Sequence, residues 1–278
     1  MLTITATIIT PASIIMLEYE FMRNAFGAAT VVALVAGCCG YFLVLRGQAF
    51  AGHALAHVGF TGATGAVLMG VPPLWGLVTV TVAGGIAMGA LGERLEGRDV
   101  AIGIVLALSL GLGLLFLHFF TTNAAQATAL LFGNLLGVDR ATLAALLGLA
   151  GLCLFALALI SRPLLFSTLQ PELAEAKGVS LRSVGVLFLA VVAVAIAECA
   201  QIVGVLLVFA LMVAPAATAQ RLTRNLAAGV VLSVAVALFD AWGGLVLAFY
   251  TDWPTSFWIT ALASTLYVVA SRLAPDRA

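Results

Sequence analysis

Two of the three histidines in this 278-residue chain stand four positions apart, in Arg46-Gly-Gln-Ala-Phe-Ala-Gly-His53-Ala-Leu-Ala-His57. Residues four apart share a helix face, so both imidazoles would project into one space. Neutral imidazole is a common ligand for transition metals, and polar side chains at membrane depth usually mark a pathway. The stretch is set among apolar residues, and the pairing points to a metal route through a bilayer. Asp240 interrupts the apolar run Val230–Leu247. A charge at that depth costs about 2.5–3.5 kcal/mol on insertion scales, so it must face a partner or water. It would either draw cations into the path or bond a neighbouring helix.

Other reactive side chains have plainer readings. Glu198 and Gln201 fall at a predicted turn between two spans and read as solvated. Asp252 lies in the turn before the last span, placed to cap that helix ahead of Pro254 or to collect a metal. His118, beside Phe119 and Phe120, reads as an interfacial anchor. The cysteines Cys38, Cys39, Cys153 and Cys199 lie in or beside apolar runs without zinc-type spacing, and read as small packing residues.

The elements that must position these groups follow from composition. The chain is 63% hydrophobic and 9% charged, with a mean hydropathy of +1.20. Such a chain is a polytopic membrane protein, an all-α bundle whose backbone is satisfied without water. Its formal net charge is zero, so no basic or acidic tail points to nucleic acid. Spans of about 20 residues fit Ala25–Leu45, Ala49–Met69, Leu74–Leu91, Val100–Phe120, Ala141–Ile160, Val184–Ala200, Ile202–Ala219, Leu226–Phe249 and Ser256–Leu273, within a range of about 8–10 transmembrane helices. Residues 1–20 hold a short apolar stretch, Leu2–Met16 with Pro11, that fits an interfacial helix, a short extra span or an uncleaved start; residues 21–278 read as one transmembrane domain.

Lys and Arg stay on the cytoplasmic side. Arg46, Arg94, Arg98, Arg162, Lys177, Arg182, Arg221, Arg224, Arg272 and Arg277 fall in alternate connections, which places the C-terminus in the cytoplasm. Arg23 and Arg140 fall on the opposite side. Gly59, Gly62 and Gly65, and Gly84, Gly85 and Gly89, would let helices approach closely. The first three directly follow the histidines and also fit a broken helix lining a cavity. The longest polar interruption, Ser161–Ser183, contains Gln170-Pro171-Glu172-Leu-Ala174-Glu175-Ala176-Lys177-Gly178, which has Pro and acids early, Lys late and Gly as a stop. It predicts a short cytoplasmic helix over about 171–180.

These residues carry a resemblance. Phe42-Leu-Val-Leu-Arg46, Gly52-His53-Ala-Leu-Ala-His57, Pro171-Glu172-Leu-Ala174 with Gly178, the run from Val203-Gly204 through Pro215 to Thr218-Ala219, and Asp252-Trp-Pro254 resemble the permease subunit of ATP-binding-cassette importers for zinc, manganese and iron. The likeness covers nearly the whole chain from Phe21. It implies a bacterial inner-membrane permease that pairs with itself, with two ATPase subunits below and one metal-binding solute receptor above. It also implies that Pro171, Glu172, Ala174, Glu175 and Gly178 form the coupling helix seated in the ATPase, and that Glu198, Gln201 and Asp252 lie on the receptor side. The family pattern Gly-Asp-x-x-Ser-His matches at His57, while His53 stands for the Asp and Ala56 for the Ser. Thr61-Gly62 stands where the family has Pro-Gly, and Gln170 where it has Asp, which marks a divergent branch.

An imidazole in place of a carboxylate moves the transported ion toward Zn2+ and away from Mn2+, which prefers oxygen ligands. Zinc is thus the preferred substrate, with no permanently bound cofactor and with His53, His57 and Asp240 along the path. The alternatives are manganese, iron or an iron chelate on the same importer type, or a self-contained secondary metal carrier using Asp240 and Glu198. No Gly-x-x-x-x-Gly-Lys-Ser/Thr loop occurs, nor a Ser/His/Asp or HExxH pattern, so the chain reads as a transport subunit, not an enzyme, with ATP hydrolysis on a separate chain.

Overall fold

The computed structural model describes residues 18–91, 95–119, 131, 133 and 135–274. The segment Leu2–Met16, Arg94, Arg277 and most of the predicted outer connection between the fourth and fifth spans lie outside the described residues. Within them the chain is helical throughout, because a backbone in lipid must close its hydrogen bonds within each segment. The helices are α1 (Glu20–Leu45), α2 (Ala49–Leu68), α3 (Pro73–Leu91), α4 (Leu95–His118), α5 (Arg140–Leu169), α6 (Pro171–Ala176), α7 (Leu181–Val203), α8 (Val205–Leu222), α9 (Leu226–Thr251) and α10 (Thr255–Leu273), with a 3-10 turn at Leu135–Gly137. Seven are long and apolar enough to cross a membrane by themselves. The other two long helices are α2, whose apolar run is broken by histidines and threonines, and α8, which is apolar but shorter.

The bundle is built around α1, α2 and α7. Most of α1 and α7 is buried, and α2 buries fourteen of its residues, Ala51 through Ala66. By contrast α4, α5 and α10 turn Leu108, Leu114, Phe155, Leu159 and Val268 outward, as lipid-facing helices do. The predicted basic connections meet at one end: Arg46 reaches Ser167 and Thr168, an Arg182 Nη2 donates to the Ala90 carbonyl, and Arg221 lies over the Tyr267 ring. At the opposite end Arg140 pairs with Glu20 at 2.8 Å, and Trp253 stacks on Trp258. That stacked pair forms part of the aromatic belt expected at a membrane surface.

Several boundaries differ from the sequence reading. The fifth span continues from Ile160 to Leu169 straight through Pro163. Proline removes the donor that would reach the Leu159 carbonyl, yet the helix runs on because Leu164 beyond the proline is buried. Gln170 alone then joins α5 to α6. The short helix ends at Ala176, earlier than the predicted 180, because Gly178 stops it: Gly178 N–H donates to Glu175 O and Val179 N–H to Ala174 O, both at 2.9 Å, with Gly178 at φ +81°. This is a Schellman end, and it requires the left-handed conformation that glycine adopts without strain.

The glycines after the histidines pack and do not break. α2 is one unbroken helix, so the broken-helix reading fails. A side chain on Gly62 would run into the Gly76 carbonyl of α3, and one on Gly76 into the Gly62 carbonyl. Gly59 faces Thr81, and Gly65 faces the Phe116 ring. Close backbone approach of this kind is how membrane helices gain packing without a hydrophobic driving force.

Gly62→Leu should therefore separate α2 from α3 and remove the monodisperse peak of the purified protein in detergent, whereas Gly103→Ala, which meets open space, should leave the melting temperature unchanged or raise it by the equivalent of about 0.5–1 kcal/mol. Gly178→Ala should lower stability by about 1–2 kcal/mol through the left-handed conformation alone.

Candidate metal-path site

Over the first half of α2, Phe50 is exposed and His53 and His57 are half-buried, while Ala51, Ala54, Leu55 and Ala56 between them are buried; Val67 and Leu68 are uncovered only at the far end of the helix. The spacing of three and then four makes a single stripe. The two imidazole rings lie 4.8 Å apart between centroids and nearly perpendicular, at 83°. His53 also meets the edge of Phe209 from α8 at 5.2 Å. His57 stands at the midpoint of α2 and His53 one turn nearer the Arg46 end. Among the described residues neither imidazole makes a side-chain hydrogen bond, so their nitrogens are open to a ligand. Above them the stripe closes: the Thr61 hydroxyl donates to the Ser109 carbonyl of α4.

Asp240 is completely buried on α9, and among the described residues neither carboxylate oxygen has a hydrogen-bond partner. Its helix rests on α1, where Ser233 donates to Gly37 O at 2.8 Å and Trp242 to Thr30 Oγ1 at 3.0 Å. The three predicted pathway residues therefore do not converge within the chain. Among the described residues no three His, Cys, Asp or Glu side chains gather where they could hold a metal.

Glu198 corrects the sequence reading. The predicted solvated turn does not exist, because α7 continues past Ala200 to Val203 and the chain turns on Gly204 alone, at φ +89° and ψ +152°. That backbone region is open essentially to glycine only. Glu198 is consequently sealed inside the chain at 0% exposure, with both oxygens unpartnered among the described residues, and presents nothing to a receptor in this conformation. Gln201 is half-buried and its Oε1 also lacks a partner. Asp252 is exposed, but it closes α9 in a left-handed conformation at φ +55° and does not cap α10, whose first turn follows Pro254. His118 is exposed beside Phe119, as an interfacial anchor would be. Cys39, Cys153 and Cys199 are buried, with Cys39 Sγ 3.7 Å from Cys153 Sγ, and Cys38 is half-buried.

The predicted coupling segment stands out from the bundle. Pro171, Glu172, Glu175 and Gly178 are exposed, Ala174 is fully buried as the anchor, and Leu173 is 47% exposed. Lys177 sits over the Phe166 ring at 5.9 Å. Three partners were not visible in the sequence: Ser167 and Thr168, which hold Arg46, and Phe209, which packs on His53. An arginine at a helix end signals the need for an acceptor, yet the hydroxyls stand more than a hundred residues away and nothing local identifies them.

The ABC 3 transport family model matches residues 18–274. The chain belongs to the ABC 3 transport family. It is 33% identical to the "Probable metal transport system membrane protein" of Treponema pallidum, over 91% of this chain and 95% of that protein. It is 30% identical to the "Manganese transport system membrane protein MntC" of Halalkalibacterium halodurans, over 94% of this chain and 90% of that one. The fold matches a chain of "PsaBC from Streptococcus pneumoniae in complex with Fab" with a TM-score of 0.85 at 24% identity, covering 96% of this chain and 97% of that one. This ABC 3 chain is thus a multi-pass membrane transport protein with the helical frame of that structure.

Two buried acids without partners lose no hydrogen bond when their charge is removed, and an unpaired buried charge is costly. Asp240→Asn and Glu198→Gln should keep or raise the melting temperature in detergent. A loss of more than about 2 kcal/mol on either would mean that the acid bonds a neighbour in the folded protein.

Proposed function

We propose that this chain is the permease subunit of an ATP-driven importer of divalent metal, with Zn2+ as its first substrate. The observation that carries the reading is the His53–His57 pair, half-buried on one face of α2. Imidazoles at membrane depth without polar partners are costly. A second copy of the chain laid over this face by two-fold symmetry would cover them and bring four imidazoles to the axis. Zinc takes nitrogen ligands readily, while Mn2+ prefers oxygen. Coordination must stay weak, because tight binding would stop transport.

Two copies would frame a path with two ATPase subunits on the α6 side and a metal-binding receptor on the other. Exposed Leu173, Glu172 and Glu175 give α6 a surface to seat in an ATPase cleft. The basic connections at the α6 end favour the cytoplasm for that side and for the C-terminus, within a bacterial inner membrane. ATP binding would close the ATPases and push on α6, opening the path outward, and hydrolysis would reset it. Asp240, buried where α9 rests on α1, would act on the path only through the packing of that wall, and exposed Asp252 would meet incoming metal on the receptor side. Manganese is the second reading, supported by the manganese transport relative.

The test is metal-stimulated ATPase activity and radiozinc uptake in proteoliposomes holding this chain with its ATPase and receptor. His53→Ala and His57→Ala should each lower zinc uptake at least tenfold with intact assembly. Unchanged uptake would make the pair packing residues, and transport of Mn2+ but not Zn2+ would establish the second reading. Charge reversal at Glu172 and Glu175 should abolish ATP-driven uptake without lowering the melting temperature.

A further inference from the structure

We infer that Arg46 is the positioning residue that carries movement of α6 to the histidine helix, an inference that rests on the reading of α6 as the ATPase-facing element. Arg46 ends α1, and its Nη1 donates to Ser167 Oγ at 3.2 Å and to Thr168 Oγ1 at 2.8 Å in the last turn of α5. Both hydroxyls stand within four residues of Pro171, where α6 begins, with Gln170 as the only joint between the helices. The same guanidinium lies over the Phe188 ring of α7, 5.6 Å from its centroid. One side chain therefore ties together the two helices that α6 connects.

On the other side Arg46 is joined rigidly to α2. Gly47 N–H donates to Val44 O and Gln48 N–H to Leu43 O, both at 2.9 Å, with Gly47 at φ +64°. This is again a Schellman end, so the three residues between α1 and α2 form a fixed corner with little slack. The corner is held from within as well: Gln48 is buried, and Gly52 packs on the Leu43 side chain. His53 follows Gly52 directly. Movement of the last turn of α5 thus reaches the first histidine through two hydrogen bonds, one corner and one helical turn.

The surroundings leave room for that movement. A cavity of about 600 Å³ opens beside the junction, lined by Arg46, Gln48, Thr168, Pro171, Glu175 and Arg182. Packed cores transmit small shifts because they do not compress. The guanidinium is suited to the task, since its planar fork can hold two hydroxyls and stack on a ring at once, which a lysine cannot.

The experiment uses the full chain with its ATPase and receptor in proteoliposomes and reads radiozinc moved per ATP hydrolysed, together with the melting temperature. Arg46→Ala should lower that ratio about tenfold, the scale set by hydrogen bonds to a charged group. Ser167→Ala with Thr168→Val should do the same while leaving the guanidinium in place, which keeps the test open if the arginine variant fails to fold. All three changes together should be no worse than Arg46→Ala alone, because they remove one linkage. Arg46→Lys should restore part of the ratio. Additive losses, a ratio equal to wild type in either folded variant, or losses that merely follow the melting temperature would overturn the role of Arg46. Absence of ATP-driven uptake by the wild type would instead overturn the importer reading, and this one with it.

Discussion

Lipid tails are as apolar as leucine, so nothing in the bilayer squeezes helices together for being greasy; they hold only where their surfaces fit. In this chain the decisive fit is backbone against backbone between α2 and α3, where Gly62 and Gly76 each leave no space for a side chain on the other. α2 is among the least apolar of the long helices and would not cross a membrane on hydropathy alone. Held by α3 on one side and by α4, α7 and α8 around it, it can carry two imidazoles through the centre of the molecule and still leave them half-buried on one remaining side. The open stripe exists because the other faces are closed by small residues.

The same economy explains the corners. Gly47, Gly178 and Gly204 each end a helix in a conformation that other residues enter only with strain, and the first two stand next to groups the transport reading uses. Gly47 fixes the start of the histidine helix, Gly178 the length of the exposed short helix, and Gly204 the junction below which Glu198 is sealed. Precision at these ends comes from backbone hydrogen bonds and needs no long loop.

Much of this was legible in the sequence. Helix number and sequence followed from apolar runs, and the shared face of His53 and His57 from their spacing. The short helix at Pro171, its exposed acids and its glycine stop followed from capping chemistry. What failed did so for physical reasons. Pro163 was read as part of a loop, but the helix runs through it because burial of Leu164 offsets the one lost donor. Glu198 was read as solvated because a charged residue near a predicted turn normally is; the turn was really one glycine, and whether an acid near a helix end is buried depends on neighbours distant in sequence. The gathering of Asp240 with the histidines was an inference from depth alone, and depth does not say on which wall a residue stands.

The last four long helices, α7 to α10, are joined by connections of one, three and three residues. Such chain has almost no conformational freedom to lose. A molecule that docks on the outer ends of these helices meets surfaces already ordered, and its affinity is not reduced by the cost of fixing loops. It also meets surfaces that cannot mould themselves to a different visitor. On this half of the protein, discrimination among docking proteins must come from the shape of helix ends and a single exposed turn. Changes in that shape must come from whole helices tilting together.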